Sequence, residues 1–277
     1  MFMNVIQCIR SDLDKTYAYM HKKSRNSRGE HYKLHTHKGF EVFVFLRGEA
    51  RFVIEGNSYQ LVPFDILIIR NSELHQVYYD TEQDYERIVL HISDAFFRRH
   101  GCGGYRAIFL DRGVGEGNLI RAEAVRKCGI PELLERIEEY IRETSRREDA
   151  VVQAGIVEFL HLLGRVDQHK ASPPQRNENI QEIIQYINDH ISQPLSLDQI
   201  AKQFFISKYH LCRIFKESTG FTVGNYIINK RLLRTKELCR EGMRVSYACY
   251  EAGFGSYSSF YKAYVKATGS APRRDLT

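Results

Sequence analysis

The C-terminal part of this chain carries one motif twice, and that repeat restricts its folding more than any other feature. Ser207-Lys208-Tyr209-His210-Leu211-Cys212-Arg213-Ile214-Phe215-Lys216 is followed by Gly220. Ser256-Tyr257-Ser258-Ser259-Phe260-Tyr261-Lys262-Ala263-Tyr264 is followed by Gly269, so the Ser, the apolar Leu/Phe, the basic Arg/Lys, the aromatic and the Gly all recur 49 residues apart. A short segment with helical apolar spacing precedes each copy, Leu197-Asp198-Gln199-Ile200-Ala201 in one and Val245-Ser246-Tyr247-Ala248-Cys249 in the other. Each unit therefore reads as helix, tight turn, helix, with Ser207 and Ser256 as N-caps of the second helix. Two such units, spanning about 197–218 and 245–268, can address two adjacent major-groove faces of DNA.

Charge supports that partner. The chain of 277 residues has a formal net charge of +6. Residues 179–277 hold fourteen Lys/Arg against eight Asp/Glu, so the whole excess lies in the segment with the repeat. A solvated basic face would look the same by itself; beside the repeat, the excess points to phosphate. The six cysteines are scattered with no Cys-x-x-Cys pair, which fits a reducing cytosol better than a disulfide framework or structural zinc. Residues 1–10 lack a basic start and a sustained apolar core, and no apolar run approaches the roughly 20 residues of a membrane span. A soluble cytoplasmic chain without a membrane partner is the expectation.

The chain is long enough for two domains. From about Tyr32 to Ile92 it reads as short strands: Glu41 to Leu46, Arg51 to Ile54, Tyr59 to Val62, and Ile66 to Ile69, punctuated by Gly48, Gly56-Asn57, Pro63 and Asn71. Such spacing suggests a barrel or sandwich. Pro131 then opens a helix in which Leu133, Leu134, Ile137, Tyr140 and Ile141 share a face, and a second helix spans about Ala150 to Val166. Residues 167–178 contain Pro173-Pro174 and no apolar period, and read as a linker. The expected plan is a β-barrel domain over 1–110, a helical connector over 111–166, the linker, and an all-α domain over 179–277.

The C-terminal segment resembles the AraC/XylS family of bacterial transcription regulators. The residues that carry the likeness are Tyr186-Ile187, His190, Leu195-Ser196-Leu197, Ala201, Ser207 to Lys216 and Gly220, continuing through Tyr226-Ile227, Arg231-Leu232, Gly253-Phe254, Phe260, Gly269 and Pro272. Three departures fall in the second unit: Ala248-Cys249 stands where Ile-Ala is usual, Tyr264 where Phe is usual, and Val265 where Lys is usual.

On the helix after Ser207, Leu211, Ile214 and Phe215 should face inward. Lys208, Tyr209, Cys212, Arg213 and Lys216 then form the DNA-facing set. Arg213 is the candidate for a bidentate guanine contact, its alternative being an intramolecular salt bridge. In the second unit Phe260 and Tyr264 face the core and Ser256, Tyr257, Ser258, Tyr261 and Lys262 face out. With Lys262 as its only clear cation, the second unit should anchor more softly. Between them, a helix over Thr222 to Cys239, about 27 Å long at 1.5 Å per residue, can hold two recognition helices about one DNA turn apart. Arg231, Arg234 and Lys236 on it could touch the DNA backbone or form a solvated face.

In the N-terminal part His35-Thr36-His37, Glu41 and Gly48, then Pro63-x-Asp65 and His75, resemble the cupin motifs. The second motif has Asp65 where metal-binding cupins usually have Gly, and lacks their closing Asn. The fold class implied is a cupin-like β-barrel joined to an all-α domain with two helix-turn-helix units. His35, His37, Glu41 and His75 are a full donor set for a divalent metal. The same residues could instead line an effector pocket with Phe43 and Phe45, or be core histidines; no cofactor is required in those two cases. Aromatic rings beside hydrogen-bonding groups suit a sugar.

The resemblance implies a regulator, more often activator than repressor, that binds promoter sites in double-stranded DNA, works with RNA polymerase, answers to a small-molecule effector and forms a homodimer through its central helices. Packing of those helices onto their own barrel is the alternative to the dimer. A metal-dependent cupin enzyme, isomerase or dioxygenase, fused to a DNA-binding domain is the rival reading. It would need a catalytic base for which no motif is present.

Overall fold

The computed structural model describes residues 3–25, 39–79, 84–145, 149–166 and 178–276. His35, His37 and residues 167–177 of the expected linker lie outside them. By internal contacts the chain divides into one unit of Met1–Phe52 with Tyr59–Pro174 and another of Val53–Ser58 with Gln175–Thr277.

In the first unit six strands form a sheet in the order β1-β2-β8-β3-β6-β9. They are β1 (Met3–Ser11), β2 (Tyr17–Arg25), β3 (Phe40–Arg47), β6 (Ile66–Ile69), β8 (Tyr85–Ile92) and β9 (Leu119–Ile120). A second sheet, in the order β5-β4-β7, holds β4 (Ala50–Ile54), β5 (Asn57–Gln60) and β7 (His75–Tyr79). The first two strands precede the segment that sequence periodicity identifies as β, because their Lys, Ser and Tyr residues blur the apolar alternation. The third expected strand is shifted: β5 ends at Gln60, before Leu61-Val62.

Period-two alternation decides what each strand does. On β3, Val42 and Val44 face one way and join Ile66, Ile68, Ile88, Leu90 and Ile92 in a buried core. Helices complete that core: α1 (Asp94–Arg99), α2 (Ala107–Leu110), α3 (Ala122–Lys127), α4 (Ile130–Glu143) and α5 (Ala150–Arg165). Leu133, Leu134, Ile137 and Ile141 of α4, with Ile156, Phe159, Leu160 and Leu163 of α5, lie in the same cluster as the strand residues. The shared face of the expected connector is therefore spent on its own barrel. Gly155 permits the close pairing of α4 and α5, since a Cβ there would sit 2.8 Å from Ile137.

Polar clips fasten α4 to the strands. His21 on β2 meets Glu138 of α4 at 2.8 Å and Glu86 of β8 at 2.9 Å, and Tyr19 donates to Glu138 at 2.8 Å. Arg10 on β1 donates to the carbonyls of Ile141 and Thr144 at 2.5 Å each, and Tyr17 donates to Asp149 at 2.6 Å. A second buried hub is Glu73, which accepts from Arg112 at 2.7 Å through both oxygens, from the Gly115 amide at 2.7 Å and from Asn118 at 3.0 Å. It ties the loop before β9 to the strands.

The C-terminal unit is helical: α6 (Glu178–Asp189), α7 (Leu197–Gln203), α8 (Lys208–Thr219), α9 (Val223–Arg240), α10 (Val245–Glu251), α11 (Tyr257–Thr268) and α12 (Pro272–Leu276). Ser196 and Gln199 form a reciprocal capping box at the start of α7. Ser207 accepts from the His210 amide at 3.1 Å and Ser256 from the Ser259 amide at 3.1 Å, the caps the repeat implies. Both second helices end on left-handed glycines, Gly220 (φ 79°) and Gly269 (φ 73°). Among the described residues no helix is long and apolar enough to cross a membrane.

Candidate DNA interface and effector cavity

The two helix-turn-helix units consist of α7 with α8 and α10 with α11. Leu211 and Phe215 of α8 are fully buried and Ile214 half-buried, so the apolar stripe faces inward. Lys208, Tyr209, Arg213 and Lys216 are exposed, Tyr209 to 80%, while Cys212 is half-buried. Arg213 is engaged on its own helix, 3.3 and 3.4 Å from the Glu217 carboxylate and 3.2 Å from His210 Nδ1. Lys208 reaches Asp198 of α7 at 2.7 Å. Both pairs are solvent-exposed, and exposed pairs yield readily to a stronger partner.

On α11, Phe260 and Tyr264 are buried, and Tyr257, Ser258, Tyr261 and Lys262 are exposed; Ser256 is half-buried as the cap. Lys266, in the last turn of this helix, is a second exposed cation that motif matching passed over. Helix α9 connects the units with 18 residues, and its three candidate backbone contacts are all engaged within this unit. Arg231 donates to the carbonyls of Ile191 at 3.0 Å and Gln193 at 2.7 Å, which makes it a clamp on the loop before α7. Arg234 pairs with Glu237 at 3.4 Å, and Lys236 lies 5.6 Å from the Tyr264 ring centroid.

In the first unit a cavity of about 220 Å³ opens on the strand face opposite the helices, lined among others by Glu41, Phe43, Phe52, His75, Arg87 and His91. Strand register builds it in rows. Glu41 pairs across from His91, Phe43 across from Val89, and Val89 across from Met20. At one end Glu41 is buried, with His91 Nε2 at 3.2 Å and His75 Nε2 at 3.6 Å from its Oε2. His75 Nδ1 contacts the Glu73 carbonyl at 3.0 Å, which orients the ring. Burial, the largest single influence, opposes protonation of His75. The neighbouring Glu41 carboxylate and the Glu73 carbonyl outweigh it, and the imidazole is held above its ordinary range.

Two rings form a platform beside these groups. Phe43 and Phe52 approach to 4.9 Å between centroids, and Phe52 stacks on His75 at 5.7 Å. Deeper along β8, the Arg87 guanidinium lies 4.5 Å above the Tyr85 ring and donates to Ser24 at 2.9 Å. Lys22 lies across from Arg87 in the strand pairing.

Of the expected effector set, Glu41, Phe43 and His75 come together at this cavity. Phe45 does not line it; completely buried, it packs 6.2 Å from the Tyr85 ring beside Arg87. The sequence reading missed His91, Arg87 and Lys22. The signal was available, because Tyr85, Arg87, Val89 and His91 alternate along β8 with Ile88, Leu90 and Ile92, which go to the core. Among the described residues no group of three ligating side chains converges as a metal site. Asp65, the departure from the cupin pattern, is buried and accepts from the Ala122 amide and from Arg121, each at 2.9 Å, so it anchors the start of α3.

Two family matches agree with this arrangement. The family described as AraC-like ligand binding domain matches residues 19–184, and a helix-turn-helix domain family matches residues 200–276. The chain is similar to the transcriptional activator RhaS of Klebsiella pneumoniae, with 21% identity over 86% of this chain and 85% of that protein. It is 27% identical to the HTH-type transcriptional regulator YbfI of Bacillus subtilis over 36% of this chain, a match that spans 38% of YbfI's length. Among solved structures, ToxT from Vibrio cholerae O395 aligns over 95% of this chain and 97% of its own, at 16% identity and a TM-score of 0.39.

Proposed function

Because the chain belongs to the AraC family, whose members pair a ligand-binding domain with a helix-turn-helix domain, we propose that it regulates transcription by binding two adjacent major grooves of promoter DNA in response to a small molecule held in the barrel. The observation that carries this reading is the pair of Ser-capped helices, α8 and α11. Each buries its apolar stripe and leaves a polar, partly cationic face exposed. The family is one of regulators rather than enzymes, so the rival cupin enzyme is set aside. A divalent metal at His35, His37, Glu41 and His75 rests on the cupin resemblance alone; elemental analysis of the purified protein tests it.

A polar effector is supported by the cavity's lining. Its 220 Å³ is below the roughly 300–1,000 Å³ of pockets for drug-sized ligands and suits a small metabolite. The Phe43–Phe52 platform next to Glu41, His75 and His91 supports a sugar, and the Lys22–Arg87 row favours one that bears an acidic group. Activation through RNA polymerase and a homodimer follow from the family alone, and the protein acts in the compartment that holds the DNA. The test is selection of duplexes from a random-sequence library by the full chain, followed by footprinting and calorimetry with neutral and acidic sugars. Two protected grooves on one DNA face, with affinity shifted by a sugar, are expected. A featureless selected pool would overturn the DNA reading. Absence of heat with every sugar would overturn the effector reading.

A further inference from the structure

Phe205, in the turn between α7 and α8, combines two unfavourable features. Its backbone is left-handed, φ 53°, and its side chain is 96% exposed. The conformation belongs to a helix-terminating motif: the Phe205 amide donates to Lys202 O at 3.2 Å and the Ile206 amide to Ala201 O at 3.0 Å.

The same paired bonds end α9, from Gly242 to Cys239 O at 3.0 Å and from Met243 to Leu238 O at 2.9 Å. They also end α10, from Gly253 to Tyr250 O at 2.8 Å and from Phe254 to Cys249 O at 3.0 Å. Both of those helices use glycine, with φ of 97° and 94°. Between Glu178 and Leu276, Phe205 is the only non-glycine residue described with positive φ. A bulky residue there is strained where glycine is not, and a phenyl ring in water adds a hydration penalty.

The ring stands two residues before Ser207, the cap of α8. The most exposed aromatic of that helix, Tyr209, lies two residues beyond the cap, with the exposed cations Lys202 and Lys208 around them. Both rings thus flank the N-terminal cap of α8, among exposed cations that suit a polyanion. Duplex DNA also offers apolar surface, in its deoxyribose edges and thymine methyl groups. We propose that Phe205, together with Tyr209 four residues on, is an apolar clamp on the DNA flanking the first recognition helix, and that the strained cap is retained for this contact. The inference rests on the reading that α8 enters a major groove.

The test uses the full chain and the duplex it selects from a random-sequence library, with affinity read by fluorescence anisotropy across a salt series and folding read by thermal melting. Phe205→Gly should melt at or above the wild-type temperature and bind at least about fivefold more weakly. Its salt slope should be unchanged, because no phosphate contact is removed, whereas Lys208→Ala should lower the slope by about 1. Phe205→Tyr should bind as the wild type does. Wild-type affinity in Phe205→Gly, with Arg213→Ala defective, overturns the clamp and leaves the DNA reading standing; wild-type affinity in both overturns both. A lower melting temperature in Phe205→Gly refutes the strain argument. Intact DNA binding with lost polymerase-dependent transcription reassigns the ring to a protein partner and overturns the clamp.

Discussion

Replacing Arg213 by Ala separates stability from DNA affinity. In the free chain its guanidinium sits 3.3 Å from Glu217 one turn on, with side-chain exposures of 50% and 61%. An exposed i,i+4 pair of this kind contributes about 0.3–0.5 kcal/mol, and the order Arg before Glu is the weaker one on a helix. Leaving Glu217 to engage a guanine edge therefore costs no more than that, against about 1–3 kcal/mol of discrimination for a good bidentate contact. Arg213→Ala should lower unfolding free energy by less than about 0.5 kcal/mol, while Kd for the selected duplex rises about 5- to 150-fold. Glu217→Gln should act in the opposite sense and tighten binding slightly, because it frees the guanidinium and removes a negative charge near phosphate. Chemical denaturation and anisotropy titration on the same preparations give both numbers. Unchanged affinity would sink the assignment of α8 as the reading helix, and so would a stability loss as large as the affinity loss.

Three further outcomes are expected. Lys262→Ala should weaken binding by about threefold, less than Arg213→Ala, and reduce the salt slope by about 1; equal losses would remove the asymmetry between the two units. At His21 burial, the largest effect, pushes the imidazole down, and its hydrogen bonds to Glu138 and Glu86 outweigh it, so it titrates above its ordinary value of 6.5. Tyr19 and Arg142 also act on Glu138, Cys8 acts on Tyr19, and Lys23 and Arg47 lie across from Glu86 in the strand pairing. A raised folded-state value means that this stabilisation is complete below pH 6.5 and is lost as pH rises through the folded value. Denaturant midpoints should fall over that window in the wild type and not in His21→Gln, and parallel pH profiles would refute the clip. Glu73→Gln should destabilise the chain by about 3–5 kcal/mol, because it strands the Arg112 guanidinium, 5% exposed, without its carboxylate. A loss below about 1 kcal/mol in denaturant unfolding would show that water relieves that charge.

The helical half was legible because its signals are local. A Ser cap, a 3.6-residue apolar stripe and a closing glycine lie within one turn or one helix of each other, so the spacing of Ser207, Leu211, Phe215 and Gly220 suffices to place α8 and its faces. Residue type was not enough for partners supplied by the fold. By residue type Arg231 fits a DNA-backbone contact and a solvated face equally, yet Ile191 and Gln193 carbonyls, some forty residues earlier, occupy it. Phe205 gave no signal as a sequence letter, since its importance lies in a backbone angle and an exposure.

The barrel was legible only in outline. Alternation on β3 identified Glu41 and Phe43 as companions, but which residues face them depends on strand order, and β8 returns between β2 and β3. That crossover, a non-local pairing invisible in any window of sequence, brings His91 opposite Glu41 and Arg87 opposite Lys22, and leaves Phe45 buried across from Arg87, outside the cavity lining. The fate of the α4 face was likewise a tertiary matter. An apolar stripe requires burial against something, and whether a partner chain or its own sheet supplies the surface is decided by packing alone. Short-range chemistry in this chain specifies helices, caps and exposed charges, whereas long-range strand pairing determines the cavity and the set of polar groups that share it.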